Sequence, residues 1–240
     1  MSKYKEYIAR IISATVIGIM ILGAGTSIAK LDDKTEAFLT AALEGKLEEV
    51  KRFLDEGVNI NAKGYALGQT ALMNASATGE LEVVKFLIER GADINDGDRN
   101  KTTALMEAAQ CGRTEVVKFL VDKGTDVNLK AYNDDTALIL CAENDEPEMI
   151  TVLLNKGADI NAKNEYETTA LMNASRLGCP KVVKILIERG ADINARDWEH
   201  RTAVTLAQKE LMNLRKRNHK TYEQEYLAVI KILKAHGAKN

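Results

Sequence analysis

The residue types that do chemistry in proteins are few in this chain, and they do not converge. Its three histidines, His200, His219 and His236, do not cluster, and no serine, cysteine or carboxylate recurs beside them in a triad-like arrangement. Its three cysteines, Cys111, Cys141 and Cys179, have no histidine at a metal-ligand spacing. The glycines follow a long period and not the spacing of a phosphate-binding loop. Catalytic, cofactor-binding and metal-binding residues are therefore assigned to none. Four carboxylates, Asp93, Asp126, Asp159 and Asp192, recur at steps of 33, with Asn59 in the corresponding place before them. A cation site is one reading. The stronger one is that each side chain bonds the backbone of its own turn, as Asp and Asn commonly do. The run Arg215-Lys216-Arg217-Asn218-His219-Lys220 is the sharpest charge feature. Binding of an anionic partner or of lipid head groups is one reading; the stronger one is a solvated helix end, where cations suit the helix dipole. A net charge of −2 supplies no global attraction to nucleic acid or to an acidic membrane surface.

The period is the main signal. Gly79–Asn95, GELEVVKFLIERGADIN, reads as a helix and a tight turn. A Gly-(Ala/Val/Thr)-(Asp/Asn)-(Ile/Val)-Asn signature recurs at Gly57–Asn61, Gly91–Asn95, Gly124–Asn128, Gly157–Asn161 and Gly190–Asn194. A second signature, Thr-Ala-Leu-Met or a close variant, begins at Thr70, Thr103, Thr136, Thr169 and Thr202, each 33 positions after the last. Such a period means stacked repeats that share one continuous core. The layout of helix, turn, helix, Gly-Ala-Asp-Ile-Asn and extended loop resembles the ankyrin repeat, over residues 36–240. The resemblance implies an all-α solenoid of about six helix-turn-helix repeats. The family's Thr-Pro-Leu-His is here Thr-Ala-Leu-Met, so Met73, Met106 and Met172 are expected in the inter-repeat core.

The second helices carry apolar stripes: Leu81, Val84, Leu87 and Ile88 in repeat two, with counterparts in repeats three to five. Pro147 and Pro180 fall at helix starts, where the missing N–H is tolerated. Repeat one places Glu49 and Arg52 where repeat two has Val83 and Phe86, as suits an uncovered end. Repeat six is longer. Thr169 to Gly190 spans 21 positions and Thr202 to Gly237 spans 35, so fourteen residues are added. Its helices are expected at Ala203–Asn218 and Tyr222–His236, with Leu227, Ile230 and Leu233 facing inward, as an enlarged C-terminal cap.

Residues 1–35 precede the repeats. Lys3, Lys5 and Arg10 lead into an apolar run from Ile11, and Ser27-Ile28-Ala29 offers a cleavage site. Residues 1–29 are expected to be a signal peptide cleaved after Ala29, or else a retained membrane anchor, and residues 30–35 a linker. Both place the repeats outside the cytoplasm, periplasmic or secreted if cleaved and tethered at the inner membrane if not. Cys111 and Cys179 lie two repeats apart, about 20 Å, which is too far for a disulfide. Cys141 aligns with core alanines, and Cys179 is expected as an exposed thiol.

These features point to a non-catalytic module that binds a protein partner, as a monomer and without a cofactor. Tyr65, Tyr132, Tyr166 and Trp198 stand three to five positions before the repeat threonines, at loop tips. Tyr and Trp are frequent interface anchors. The family resemblance implies a binding surface made of these tips and the inner face of the first helices. By register that face carries Asn74, Glu107, Leu140 and Asn173, with Gln110, Glu143 and Arg176 beside them. The alternatives are a membrane-tethered envelope scaffold, or a hydrolytic or redox enzyme using Cys179 or a histidine.

Overall fold

The computed structural model describes residues 33–217 and 221–239. The segment read as a signal peptide or anchor lies outside the described residues, as do Asn218, His219 and Lys220. Among the described residues, twelve helices form six pairs. The pairs are α1 (Asp33–Leu43) with α2 (Leu47–Asp55), α3 (Ala71–Thr78) with α4 (Leu81–Glu89), and α5 (Ala104–Gln110) with α6 (Thr114–Asp122). They continue with α7 (Ala137–Cys141) and α8 (Pro147–Asn155), α9 (Ala170–Leu177) and α10 (Pro180–Glu188), and α11 (Ala203–Lys216) and α12 (Glu223–Ala235). First helices stack on first helices and second on second, so the fold is an all-α solenoid. No helix among the described residues is long and apolar enough to cross a membrane.

The repeat threonine starts each first helix from the second repeat onward. Thr70, Thr103, Thr136 and Thr169 are extended, and each Oγ1 accepts from the backbone N–H three residues on, at 3.3–3.4 Å. This satisfies one of the amides that a helix start leaves unpaired. Met73, Met106 and Met172 are buried between repeats, as expected. Pro147 and Pro180 stand in the first turns of α8 and α10. Gly91 and its equivalents close the second helices at φ of 87–91°, a conformation that strains any other L-residue.

The turn carboxylates are structural. Asp93, Asp126, Asp159 and Asp192 each accept from the N–H two residues on, at 2.9–3.0 Å, and Asn59 does the same. The asparagine that ends each signature makes the link between repeats. Oδ1 of Asn61, Asn95, Asn128 and Asn161 accepts from the N–H of Asp93, Asp126, Asp159 and Asp192 at 2.8–3.0 Å. Asn194 accepts from Lys239 in the same way.

Several expectations are corrected. Helix α1 begins at Asp33, inside the stretch read as a linker. Helix α7 is only five residues long. Asp145 stands where Gly79, Gly112 and Gly178 allow a left-handed turn, so the chain leaves the helix early in tight bonds such as Asn144 N–H to Cys141 O. Glu143 therefore sits on a turn and not on a helix. Helix α12 buries Tyr226, Val229 and Leu233, whereas Leu227 is exposed and Ile230 only half-buried. The Tyr226 hydroxyl donates to Arg176 O at the end of α9, at 2.9 Å, and its ring lies against Gly178. That contact turns α12 so that Tyr226 and Val229 face inward in place of Leu227 and Ile230, while Leu233 is buried as expected. Cys179 is buried, 5% exposed, and not an exposed thiol.

The ladder leads to a stability prediction. Asn128 accepts from Asp159 N–H at 2.9 Å and donates Nδ2–H to Gly157 O at 3.0 Å. Asn128→Ala removes both bonds and should lower the unfolding free energy by about 2 kcal/mol, read by urea denaturation followed by circular dichroism. Asn128→Asp keeps the acceptor and should lose about half as much.

Candidate binding groove

The projecting loops are small hairpins. In the last four loops, residues 98, 131, 164 and 197 each close a turn with the residue three or four positions on. Lys101, Asp134, Glu167 and His200 take the left-handed position, at φ of 55–62°. In three of these hairpins a side chain braces the turn. Oδ1 of Asp98 accepts from the N–H of Asn100 and Thr102, Asn164 does so from Tyr166 and Thr168, and Asp197 from Glu199 and Arg201.

Neighbouring hairpins are tied through the backbone. The N–H groups of Arg99, Tyr132, Glu165 and Trp198 donate to the carbonyls of Leu67, Asn100, Asn133 and Tyr166, at 2.7–3.2 Å. Each donor and each acceptor is 33 residues from the next. The tips thus form a ladder, with their side chains left over. Tyr65, Tyr132, Tyr166 and Trp198 are 40%, 78%, 50% and 59% exposed, so the four aromatics are indeed on the surface.

Two clefts lie between the tips and the first helices. One, of about 290 Å³, brings together Tyr132, Gln110 and Leu140 with Asn133 and Asp135. The next, of about 280 Å³, brings together Tyr166, Trp198, Glu143, Asn173 and Arg176, again with Asn133 and Asp135. The shared residues make one groove of the two. Tyr65, Asn74 and Glu107 line neither cleft. Asn74 Nδ2 donates to Leu39 O at 3.2 Å, and so ties repeat two to repeat one.

Sequence reasoning missed the groove's polar floor. Asp135 accepts from Asn133 Nδ2 at 2.5 Å and from Asn164 Nδ2 at 2.8 Å. Asp197 is buried and receives Arg201 Nε at 2.8 Å, while Arg201 Nη1 meets Glu199 at 2.8 Å. Their register was the available signal. Thr102, Asp135, Thr168 and Arg201 all stand just before a repeat threonine. Asn173 is mostly covered, and its Nδ2 reaches Ile139 O and Glu143 Oε1, both at 3.4 Å. Arg176 lies 3.7 Å from Glu143.

None of the three cysteines is primed as a nucleophile. Burial pushes the Cys111 thiol up to about 11 and that of Cys179 up to about 12, and it raises that of Cys141 further. Thiols held so high are poor nucleophiles at neutral pH. His200 is an exposed tip residue, and His236 caps the last helix with Nδ1 2.8 Å from Ile232 O. Among the described residues no group of three or more His, Cys, Asp or Glu is placed to hold a metal.

Comparison with known families adds a decisive observation. A family model described as ankyrin repeats, in three copies, matches residues 38–131 and again residues 129–197. The chain belongs to the ankyrin repeat family. Ankyrin repeats are generally protein–protein interaction modules and typically non-catalytic. No curated protein matches the chain. The matched residues stop short of the sixth, enlarged pair, where the helices depart most from the common length.

Glu107 allows a prediction about pH. Burial raises its carboxyl from 4.5 to about 7, only partly offset by the hydrogen bond from Gln69 Nε2 at 3.1 Å, and Asp98 adds to the rise. The folded chain therefore holds a proton here that the unfolded chain releases. The stability due to the protonated form is full below about 4.5 and is lost as the pH rises through about 7. Glu107→Gln should remove this slope and raise stability at pH 8 by roughly 1–2 kcal/mol, measured by denaturant unfolding across pH.

Proposed function

We propose that the chain is a non-catalytic binding module that holds a protein partner in the groove between the loop tips and the first helices. The observation that carries this reading is the division of labour at the tips. The backbones of Tyr132 and Trp198 bond the preceding loop, yet their side chains and that of Tyr166 remain half or more exposed. Exposed aromatics on a rigid frame lose little entropy when a partner covers them. The two clefts of about 290 and 280 Å³ are at or below the small end of small-molecule pockets and suit side chains of a protein better. The module acts as a monomer on this reading, with no cofactor and no role for nucleic acid.

The place of action is proposed from residues 1–29. A basic flank, an apolar run and small residues before Lys30 support export, with the repeats working in the periplasm or beyond the cell. The apolar run Ile11–Ala29 is long enough to support a second reading, a scaffold tethered to the membrane by an uncleaved helix. The intact mass of the chain purified from its native envelope separates the two. A mature N-terminus near Lys30 is expected, and retention of residues 1–29 would establish the tether.

The binding surface is tested by affinity capture from the native envelope fraction. The bait is the exported chain from Lys30, beside the same chain with Tyr132→Ala, Tyr166→Ala and Trp198→Ala. The triple variant should keep its helical circular dichroism and its melting temperature within a few degrees, because these side chains contribute little buried area. Capture should fall by about tenfold or more. Equal capture by both baits would move the binding surface elsewhere, and a loss of fold would make the aromatics structural.

A further inference from the structure

The groove has a chemical preference that its aromatics alone do not explain. In the cleft over repeats four to six, Tyr166 and Trp198 come from adjacent rungs of the tip ladder, with the N–H of Trp198 on Tyr166 O at 3.2 Å. Both rings are half exposed. The basic side chains in this cleft already have partners. Arg201 is held by Asp197 and Glu199, both at 2.8 Å, and Arg176 lies 3.7 Å from Glu143. Asp135 is met instead by the uncharged amides of Asn133 and Asn164 and takes part in no ion pair among the described residues. The lining carboxylates Asp135, Glu143 and Asp197 thus outnumber Arg176 and Arg201 by one.

We propose that this cleft receives a lysine or arginine side chain from an extended segment of the partner protein, its charge over Tyr166 and Trp198 and directed at Asp135. Aromatic faces attract cations, and a neighbouring carboxylate without a cation strengthens the attraction. A cleft of about 280 Å³ takes one long side chain. The adjoining cleft shares Asp135 and lies one repeat away, and stacked helices are spaced about 8–10 Å apart. Every third residue of an extended polyproline-type segment advances by about 9 Å. A partner strand with residues at i and i+3 turned toward the repeats therefore matches both clefts.

This inference rests on the groove being the binding surface, and its test is kept separate. Trp198 is the only tryptophan in the chain, so intrinsic indole fluorescence reports on this cleft alone. Three nine-residue glycine peptides, with lysine, glutamine or glutamate at every third position, are titrated into the full chain to about 1 mM, which detects binding free energies near −4 kcal/mol. The lysine peptide should give a saturable change, with the other two at least tenfold weaker. Asp135→Asn with Glu143→Gln removes both charges but keeps only one of the two acceptors that Asp135 offers to Asn133 and Asn164. The melting temperature should fall by a few degrees with the helical circular dichroism kept at the titration temperature, and the lysine peptide should weaken about tenfold. Equal response to the three peptides, preference for glutamate, silence throughout, or an undiminished double variant would each overturn the inference. If the lysine peptide is silent while native capture still depends on the three aromatics, the groove stands and the cation preference falls. If the peptide binds while capture ignores the aromatics, the preference stands and the proposed function falls.

Discussion

A pair of helices of five to fourteen residues has almost no interior of its own, and the structure follows from that constraint. Leu72 and Met73 of α3 are fully buried only because α1 and α5 lie on either side of them. The same holds for Leu105 with Met106 and for Leu171 with Met172. The turns between repeats stay at the surface, and their amides still find partners across the repeat boundary. The asparagine that ends each turn accepts the N–H of the next turn. Apolar contact and asparagine ladder are two consequences of one requirement, that every repeat be completed by its neighbour. The ends answer it differently. Glu49 and Arg52 present a polar outer face at one end, and at the other α12 brings Tyr226 onto Gly178 and the last carbonyls of α9.

The ladder at the loop tips extends the same logic to function. The tips are held by main-chain bonds at a fixed step and braced in three loops by Asp98, Asn164 and Asp197, so the exposed aromatic side chains are not what shapes them. Residues facing the groove accordingly divide in two. Asn173, Asp135 and Asp197 hold neighbouring segments together and are covered or bonded. Tyr132, Tyr166 and Trp198 are tied to neighbouring loops through their backbones and leave their side chains at the surface. Under the proposed function, substitutions at these positions would leave the stack intact, in keeping with a fold that hosts unrelated partners.

The repeat period, the threonine caps, the closing glycines and the core methionines were legible in the sequence because each follows from local geometry at a fixed step. What was not legible depends on contacts between repeats. Helix α12 has apolar residues at Tyr226, Leu227, Val229, Ile230, Ile232 and Leu233, so two faces are almost equally hydrophobic. Only the fit of Tyr226 against α9 chooses between them. Cys179 occupies a position that is exposed or half-exposed in the earlier repeats, as at Glu80 and Glu146, and it is buried where the enlarged last pair packs over α9 and α10. The early end of α7 did have a signal, Asp145 in a glycine position, but its consequence for Glu143 needed the turn to be seen. Among the candidate site residues, the aromatics were found by type and spacing. The floor was missed because Asp135 and Asp197 look in sequence like ordinary loop residues.

Those floor carboxylates show how the groove acquires its character. A carboxylate that is partly removed from water must be compensated. The repeats do this in three ways, at three different places in the repeat unit. Asp197 is neutralised by Arg201. Glu107 takes up a proton more readily, because burial outweighs the hydrogen bond from Gln69. Asp135 is solvated by two asparagine amides, which satisfy its oxygens without cancelling its charge. The first two solutions are closed within the chain. The third leaves a carboxylate with no cation, in the stretch of groove common to both clefts and beneath exposed aromatic faces. Within the clefts Asp197 is paired with an arginine and Asp135 is not, so the local charge of the groove follows from these pairings and not from the net charge of the protein.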